Sequence, residues 1–289
     1  MKNLKLAAVC LSCLAMTGCS ALNFSVEGLI NAPKLTSEQS EIHQALIESV
    51  GSNITLKYPK NGEYRSAYVI ANIDDEPTDE AMVFYEYTSN GSEEDGLRVN
   101  ILDKDENGKW YSVKELAGAG TDIDQVIISP MGSNNQTDVF VGYQNLTNDE
   151  KTMEIYSYTD GDFKRVALDT YSVLEPLDIN NDGYIELITI QRSTNNDTGA
   201  VTAKASMLNM KNNEITRGES VDMCDNVTSY VSSKTGMLDS GRRAIFIDGL
   251  TADGKLQTEI IYYRYSGLQN PMQLRSEKLL YAQDLRDTT

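Results

Sequence analysis

Apolar and polar positions follow two periods along this chain. Ile42, Ala45, Leu46 and Val50 fall at helical spacing and make one stripe. Thr36 precedes the stripe with Gln39 three residues on, the pairing of a capping box, and Gly51 stands where a helix would stop. The pattern predicts one short helix ending near residue 50. The single histidine, His43, lies in it and is expected to be solvated. From Ile54 onward the period is two. β-Branched and aromatic residues are common, and Asn, Asp and Gly cluster between the runs, which is the texture of strands and turns.

Four segments of this β-rich part look alike. Each is a polar loop followed by an apolar run: 72–80 before Ala81–Tyr85, 130–138 before Val139–Tyr143, 178–186 before Leu187–Ile190, and Thr235–Arg243 before Ala244–Ile247. Starts at 72, 130, 178 and 235 give steps of 58, 48 and 57 residues. Between the copies lie two more strand-like runs joined by turns at Asn107-Gly108, Asp160-Gly161, Asn212-Asn213 and Ser266-Gly267. Asn-Gly and Asp-Gly supply the positive φ of tight hairpins. Loop, strand, strand, turn, strand, with a further strand leading to the next loop, is a propeller blade, and periods near 50 suit four-stranded blades. The fold expected is all-β: a β-propeller of about four to five four-stranded blades, small, open or incomplete, preceded by the short helix. About 230 residues are available for it, and the chain stops at Arg286-Asp287-Thr288-Thr289, where a further blade would begin.

Composition adds a compartment. Of 289 residues 40% are apolar, enough for a core, and the formal charge is −18. So acidic a surface repels nucleic acid and anionic lipid, so no nucleic-acid partner is expected. At the N-terminus Lys2 and Lys5 precede an apolar run from Leu6 to Met16, too short to span a bilayer as a helix. It ends in Leu14-Ala15-Met16-Thr17-Gly18-Cys19, which resembles the lipobox of bacterial lipoproteins, with Met in place of the more usual Leu. The resemblance implies a signal peptide over 1–18 and lipidation of Cys19, hence export and a lipid anchor on the outer face of the cytoplasmic membrane. An ordinary secretory signal is the alternative. The segments then read as 1–18 leader, 19–52 tether and helix, and 53–289 repeat domain. Cys10 and Cys13 lie in the leader, so Cys224 has no disulfide partner and reads as an inert thiol. Seven Asn-X-Ser/Thr triplets read as Asn- and Thr-rich turns.

The third loop carries the sharpest chemistry. Asp178, Asn180 and Asp182 alternate, Gly183 follows, Tyr184 can offer its backbone carbonyl, and Glu186 closes the set. Alternate oxygens around a glycine bend suit Ca²⁺ better than Mg²⁺ or Zn²⁺. An EF-hand would need Glu at the twelfth position and a helix after it. That position is Thr189, inside an apparent strand. The other reading is a hairpin turn with solvated carboxylates. The first loop keeps Asn72, Asp74, Glu76 and Glu80 but has Pro77 where the bend needs positive φ, so it is a degenerate candidate. The second has Pro130 and Gly132 at ligand positions, leaving Asn134 and Asp138, and the fourth ends in Arg242-Arg243, where a cation opposes a metal.

Loops of this form before apolar strands resemble the FG-GAP or VCBS-type repeats of integrin-like β-propellers. The likeness covers roughly 60–289, with every position kept only in the third copy. It implies structural calcium and, together with the lipobox, a repeat-bearing bacterial lipoprotein. No Ser-His-Asp or Cys-His set can be assembled in the β region with His43 outside it, and no phosphate loop is present. The chain is therefore read as no enzyme, but as a lipid-anchored surface module binding a protein or glycan. A propeller-type glycosidase and an accessory subunit of an envelope complex are the alternatives.

Overall fold

In a computed structural model the described residues are 35–74, 76–88, 96–130, 137–145, 150–194, 197, 199, 201–211, 214–224 and 227–276. The expected leader, Cys19, the tether up to residue 34, Asn134, the Asn212-Asn213 turn and the last residues lie outside them. The described chain begins with helix α1 (Ser37–Val50). Thr36 and Gln39 make the expected capping box: Thr36 N donates to Gln39 Oε1 and Gln39 N to Thr36 Oγ1, both at 3.1 Å.

Among the described residues, the strands after α1 all pair antiparallel. The first sheet holds β1 (Ile54–Leu56), β2 (Tyr68–Ala71), β3 (Glu80–Tyr87), β4 (Leu97–Lys104) and β5 (Trp110–Ala117). The second is β6 (Asp122–Ser129), β7 (Asp138–Gln144), β8 (Lys151–Thr159) and β9 (Asp162–Tyr171). The third is β10 (Val173–Leu177), β11 (Glu186–Thr194), β12 (Val201–Lys211) and β13 (Glu214–Asp222). The fourth is β14 (Val227–Met237), β15 (Arg243–Thr251), β16 (Leu256–Arg264) and β17 (Gly267–Ser276). In the last three sheets strand order equals chain order, as the repeat unit anticipates. In the first sheet β1 and β2 pair with successive halves of β3, so together they replace a single opening strand. The excursion between them reaches the second sheet, where Lys60 N donates to Ile123 O and Asn61 N to Asp124 O.

Side-chain alternation builds the packing, because successive residues of a strand face opposite ways. On β3, Ala81, Val83 and Tyr85 join Ile42 and Leu46 of the helix, while Met82 and Phe84 join Val139 and Val141 of the second sheet. Phe140 and Tyr171 of the second sheet pack on Leu187 and Leu208 of the third. Ile188 and Ile190 of the third meet Ile245 and Ile247 of the fourth. Neighbouring sheets in the chain thus bury facing surfaces against each other, α1 covers the outward face of the first, and on the fourth Ala244, Phe246 and Ile260 form a cluster of their own. Ile42 and Leu46 are fully buried there, worth about 1.5–3 kcal/mol each. His43 is tied rather than solvated: its Nδ1 lies 2.7 Å from the Tyr68 hydroxyl. Gly142 is required by packing, since a Cβ would collide with the Tyr171 hydroxyl.

Two turn assignments shift. Asp160 and Gly161 have positive φ as expected, but the last hairpin turns on Tyr265 and Ser266, and Gly267 already pairs with Arg264. The fourth loop is not a copy of the others. Thr235, Gly236 and Met237 belong to β14, and only 238–242 connects it to β15, with Gly241 N donating to Leu238 O. The loops 72–79, 130–137 and 178–185 that enter β3, β7 and β11 are of equal length.

Candidate functional site

β10 ends at Leu177 and β11 starts at Glu186, paired to each other, so the loop between them closes on itself. Asn181 (φ 66°) and Gly183 (φ 97°) turn the backbone inward. Asp178 then accepts from Asp182 N at 3.0 Å and Gly183 N at 3.2 Å. Asn180 Oδ1 accepts from Asp182 N, and its amide donates to Asp182 Oδ2 at 2.9 Å and Glu186 Oε1 at 2.8 Å. Tyr184 enters through its N–H, given to Asp182 Oδ1. The other Glu186 oxygen accepts from Ile179 N at 3.1 Å. Burial, then the charges of Asp182 and Asp178, push the Glu186 carboxyl up to about 7.

The loop therefore brings together Asp178, Asn180, Asp182 and Glu186. In composition this oxygen set fits a hard cation. In arrangement, the Asn180 amide sits on two of the carboxylates, and no group of three or more acidic, His or Cys side chains is gathered for a metal among the described residues.

The first loop shares one half of this design. Glu80 is buried, accepts from Ile73 N at 2.8 Å, and is pushed up to about 7, chiefly by burial. The other half differs. The Asn72 amide donates to the carbonyls of Glu76 and Thr78, and Asp74 accepts from Glu76 N. Asp138 at the second position is likewise buried and accepts from the Ser157 hydroxyl.

The sequence did not reveal a cation on the third loop. Arg243 Nη1 lies 2.9 Å from Asp178 Oδ2 and donates to Asp178 O at 2.8 Å. The alternation explains it. Glu80, Asp138 and Glu186 share the strand face that packs on the following sheet, with Met82, Phe140 and Ile188 respectively. Arg243 shares the face of Ile245 and Ile247, which packs on the preceding one. A fourth-sheet cation thus meets the third-sheet loop. The arginine read at the end of the fourth loop thus pairs with an acid of the third.

A second region could not be read from any motif. The excursion 61–64 and parts of β6, β10 and β14 line a cavity of about 530 Å³. Asp124, almost fully buried, anchors it. It accepts from Asn61 Nδ2 at 2.7 Å, Lys151 Nζ at 2.8 Å and the Tyr171 hydroxyl at 2.6 Å. Gln125 beside it donates to Leu174 O at 3.3 Å. Elsewhere Cys224 gives its N–H to Glu259, whose carboxyl burial pushes up.

No protein-family model and no curated protein matches the chain. Solved structures do. The rhamnogalacturonan lyase YesW shares 10% identity at a TM-score of 0.40, over 78% of this chain and 54% of that one. A rhamnogalacturonan lyase of Bacillus licheniformis shares 8% at 0.40 over the same shares. A putative 6-phosphogluconolactonase from Bacteroides uniformis shares 14% at 0.37, over 76% of this chain and 67% of that one. The chain spans about half the length of the lyases. At these values no activity carries across. They do correct one expectation: the similar structures are enzymes, so the reading of this chain as no enzyme is withdrawn. No helix among the described residues is long and apolar enough to cross a membrane. The chain itself is mostly β, its described strands forming four antiparallel sheets.

Proposed function

We propose that this chain is an exported, lipid-anchored envelope module of propeller type, its four sheets serving as blades of FG-GAP or VCBS kind. One calcium ion braces the 178–186 loop, and the module holds a protein or glycan. The observation that carries the calcium reading is the oxygen set that Asn180 links at one strand entry, its amide on Asp182 and Glu186, where the charges of Asp182 and Asp178 repel that of Glu186. A divalent cation relieves that repulsion and ties the incoming strand to the outgoing one. Asp178, Asn180, Asp182 and Glu186 would hold it through side-chain oxygens, and Tyr184 through its carbonyl. The loop at 72–80 is a weaker second position.

Melting curves test this. Chelation lowers the melting temperature, and Asp182→Ala removes the difference between calcium and chelator. Identical wild-type curves in the two conditions overturn it. Membrane fractionation tests the anchor: Cys19→Ala moves the protein to the soluble fraction. A second reading rests on the cavity, whose lining includes the carboxylates Glu63, Asp124 and Glu175, the residue type that glycoside hydrolysis requires. Release of reducing ends from neutral polysaccharides, lost in Glu175→Gln, is its check.

A further inference from the structure

We propose that the cavity between the excursion 61–64 and strands β6, β10 and β14 binds the uncharged end of a sugar chain, one or two rings long. This takes the glycan branch of the function proposed above and narrows it to a place and a ligand class. Size sets the first limit: about 530 Å³ lies within the range of small-molecule pockets.

Charge sets the second. Glu63, Asp124 and Glu175 line the cavity against one cation, Lys151, which Asp124 already engages at 2.8 Å. A uronate or phosphate would enter against net negative charge. Hydroxyl groups meet no such barrier, since they donate to carboxylates and amide oxygens and accept from amide and ammonium N–H.

Rigidity is the third argument. Asp124 is fixed by three donors from three parts of the chain, Asn61, Lys151 and Tyr171. Gln125 is only 8% exposed and is oriented by its bond to Leu174 O. Polar groups held before a ligand arrives lose little on binding it. Gly62 packs on Gln125 and holds it from the other side: at φ 79°, a Cβ there would lie 3.2 Å from Gln125 Cβ and 3.3 Å from its Oε1. Ser172 and Ser233 add hydroxyls to the wall. The site has donors, acceptors and space, and none of its lining residues belongs to the 178–186 loop.

Titration calorimetry on the full chain in calcium, with cellobiose, maltose, lactose and xylobiose as probes, tests the proposal. Digalacturonate serves as the charged control. At least one neutral disaccharide saturates the protein, and digalacturonate binds at least about tenfold more weakly. Ser172→Lys and Ser233→Lys each weaken the neutral sugar by about tenfold or more while the melting curve stays at its wild-type position. Failure of every neutral disaccharide to saturate, or tighter binding of digalacturonate, overturns the proposal. So does unchanged affinity in both variants with melting curves intact. Because the calcium brace is read from melting curves and the sugar site from heats of binding, one can fail while the other stands.

Discussion

The loops that enter β3 and β11 are the same length and end in the same way, yet only half of their chemistry is shared. In both, the last glutamate is buried and accepts from the N–H of an isoleucine seven residues earlier, Ile73 or Ile179. In both, burial pushes that carboxyl up to about 7. The common part is a cap on the strand entry, independent of any ion. The earlier residues diverge. Positive φ at Asn181 and Gly183 folds the third loop's N–H groups onto Asp178. In the first, the Asn72 amide braces the carbonyls of Glu76 and Thr78. These two loops thus share a closing device, and the third adds a charge centre of its own.

The largest expected effect comes from breaking the shared half. Glu186→Ala or Glu80→Ala leaves a buried isoleucine N–H unpaired, at a cost of about 1–3 kcal/mol. Both variants should melt several degrees lower in chelator and by similar amounts. In calcium the Glu186 variant alone should lose further ground. Equal losses in calcium would show that the two loops do not differ in metal binding.

Arg243→Ala comes next. It strips Asp178 of its cation, so the melting temperature falls in chelator by a few degrees, and added calcium restores more of it than in wild type. A titration of melting temperature against calcium should therefore shift to lower concentration. An unchanged midpoint would mean that arginine and ion do not share Asp178.

A smaller effect is the pH dependence without calcium. A carboxyl whose folded value is raised from 4.5 to about 7 holds its proton more firmly when folded. In that window the folded state binds more protons than the unfolded one, so stability falls as pH rises from about 4.5 towards 7. Replacing both Glu80 and Glu186 with Gln should flatten that slope, and calcium should flatten only the Glu186 share. The smallest effect is expected from Asn72→Ala, which removes two exposed hydrogen bonds and should lower the melting temperature by no more than a degree or two.

Much of this architecture was legible because strands buried on both faces write themselves as apolar runs. Ala81–Tyr85 and Val139–Tyr143 are such strands, and tight turns such as Asp160-Gly161 announce themselves by residue type. What was illegible shares one cause. β14 is half-exposed along most of its length and lines a polar cavity, so Thr235–Met237 carried no strand signal and passed for a loop. β1 and β2 are too short and too far apart to read as one broken strand. Asp124, Lys151 and Tyr171 are brought together only by sheet register, and no spacing along the chain encodes that. Arg243 was noticed, but the slip that turns it onto the preceding sheet is a matter of face, which its neighbours in sequence do not specify.

The helix laid on the first sheet gives the array a polarity. A sheet that ends a stack must either meet another sheet or be sealed, and Ile42, Ala45 and Leu46 seal this one. Any sheet that docks on that face must first displace the helix, so the helix limits where another chain could add to the array.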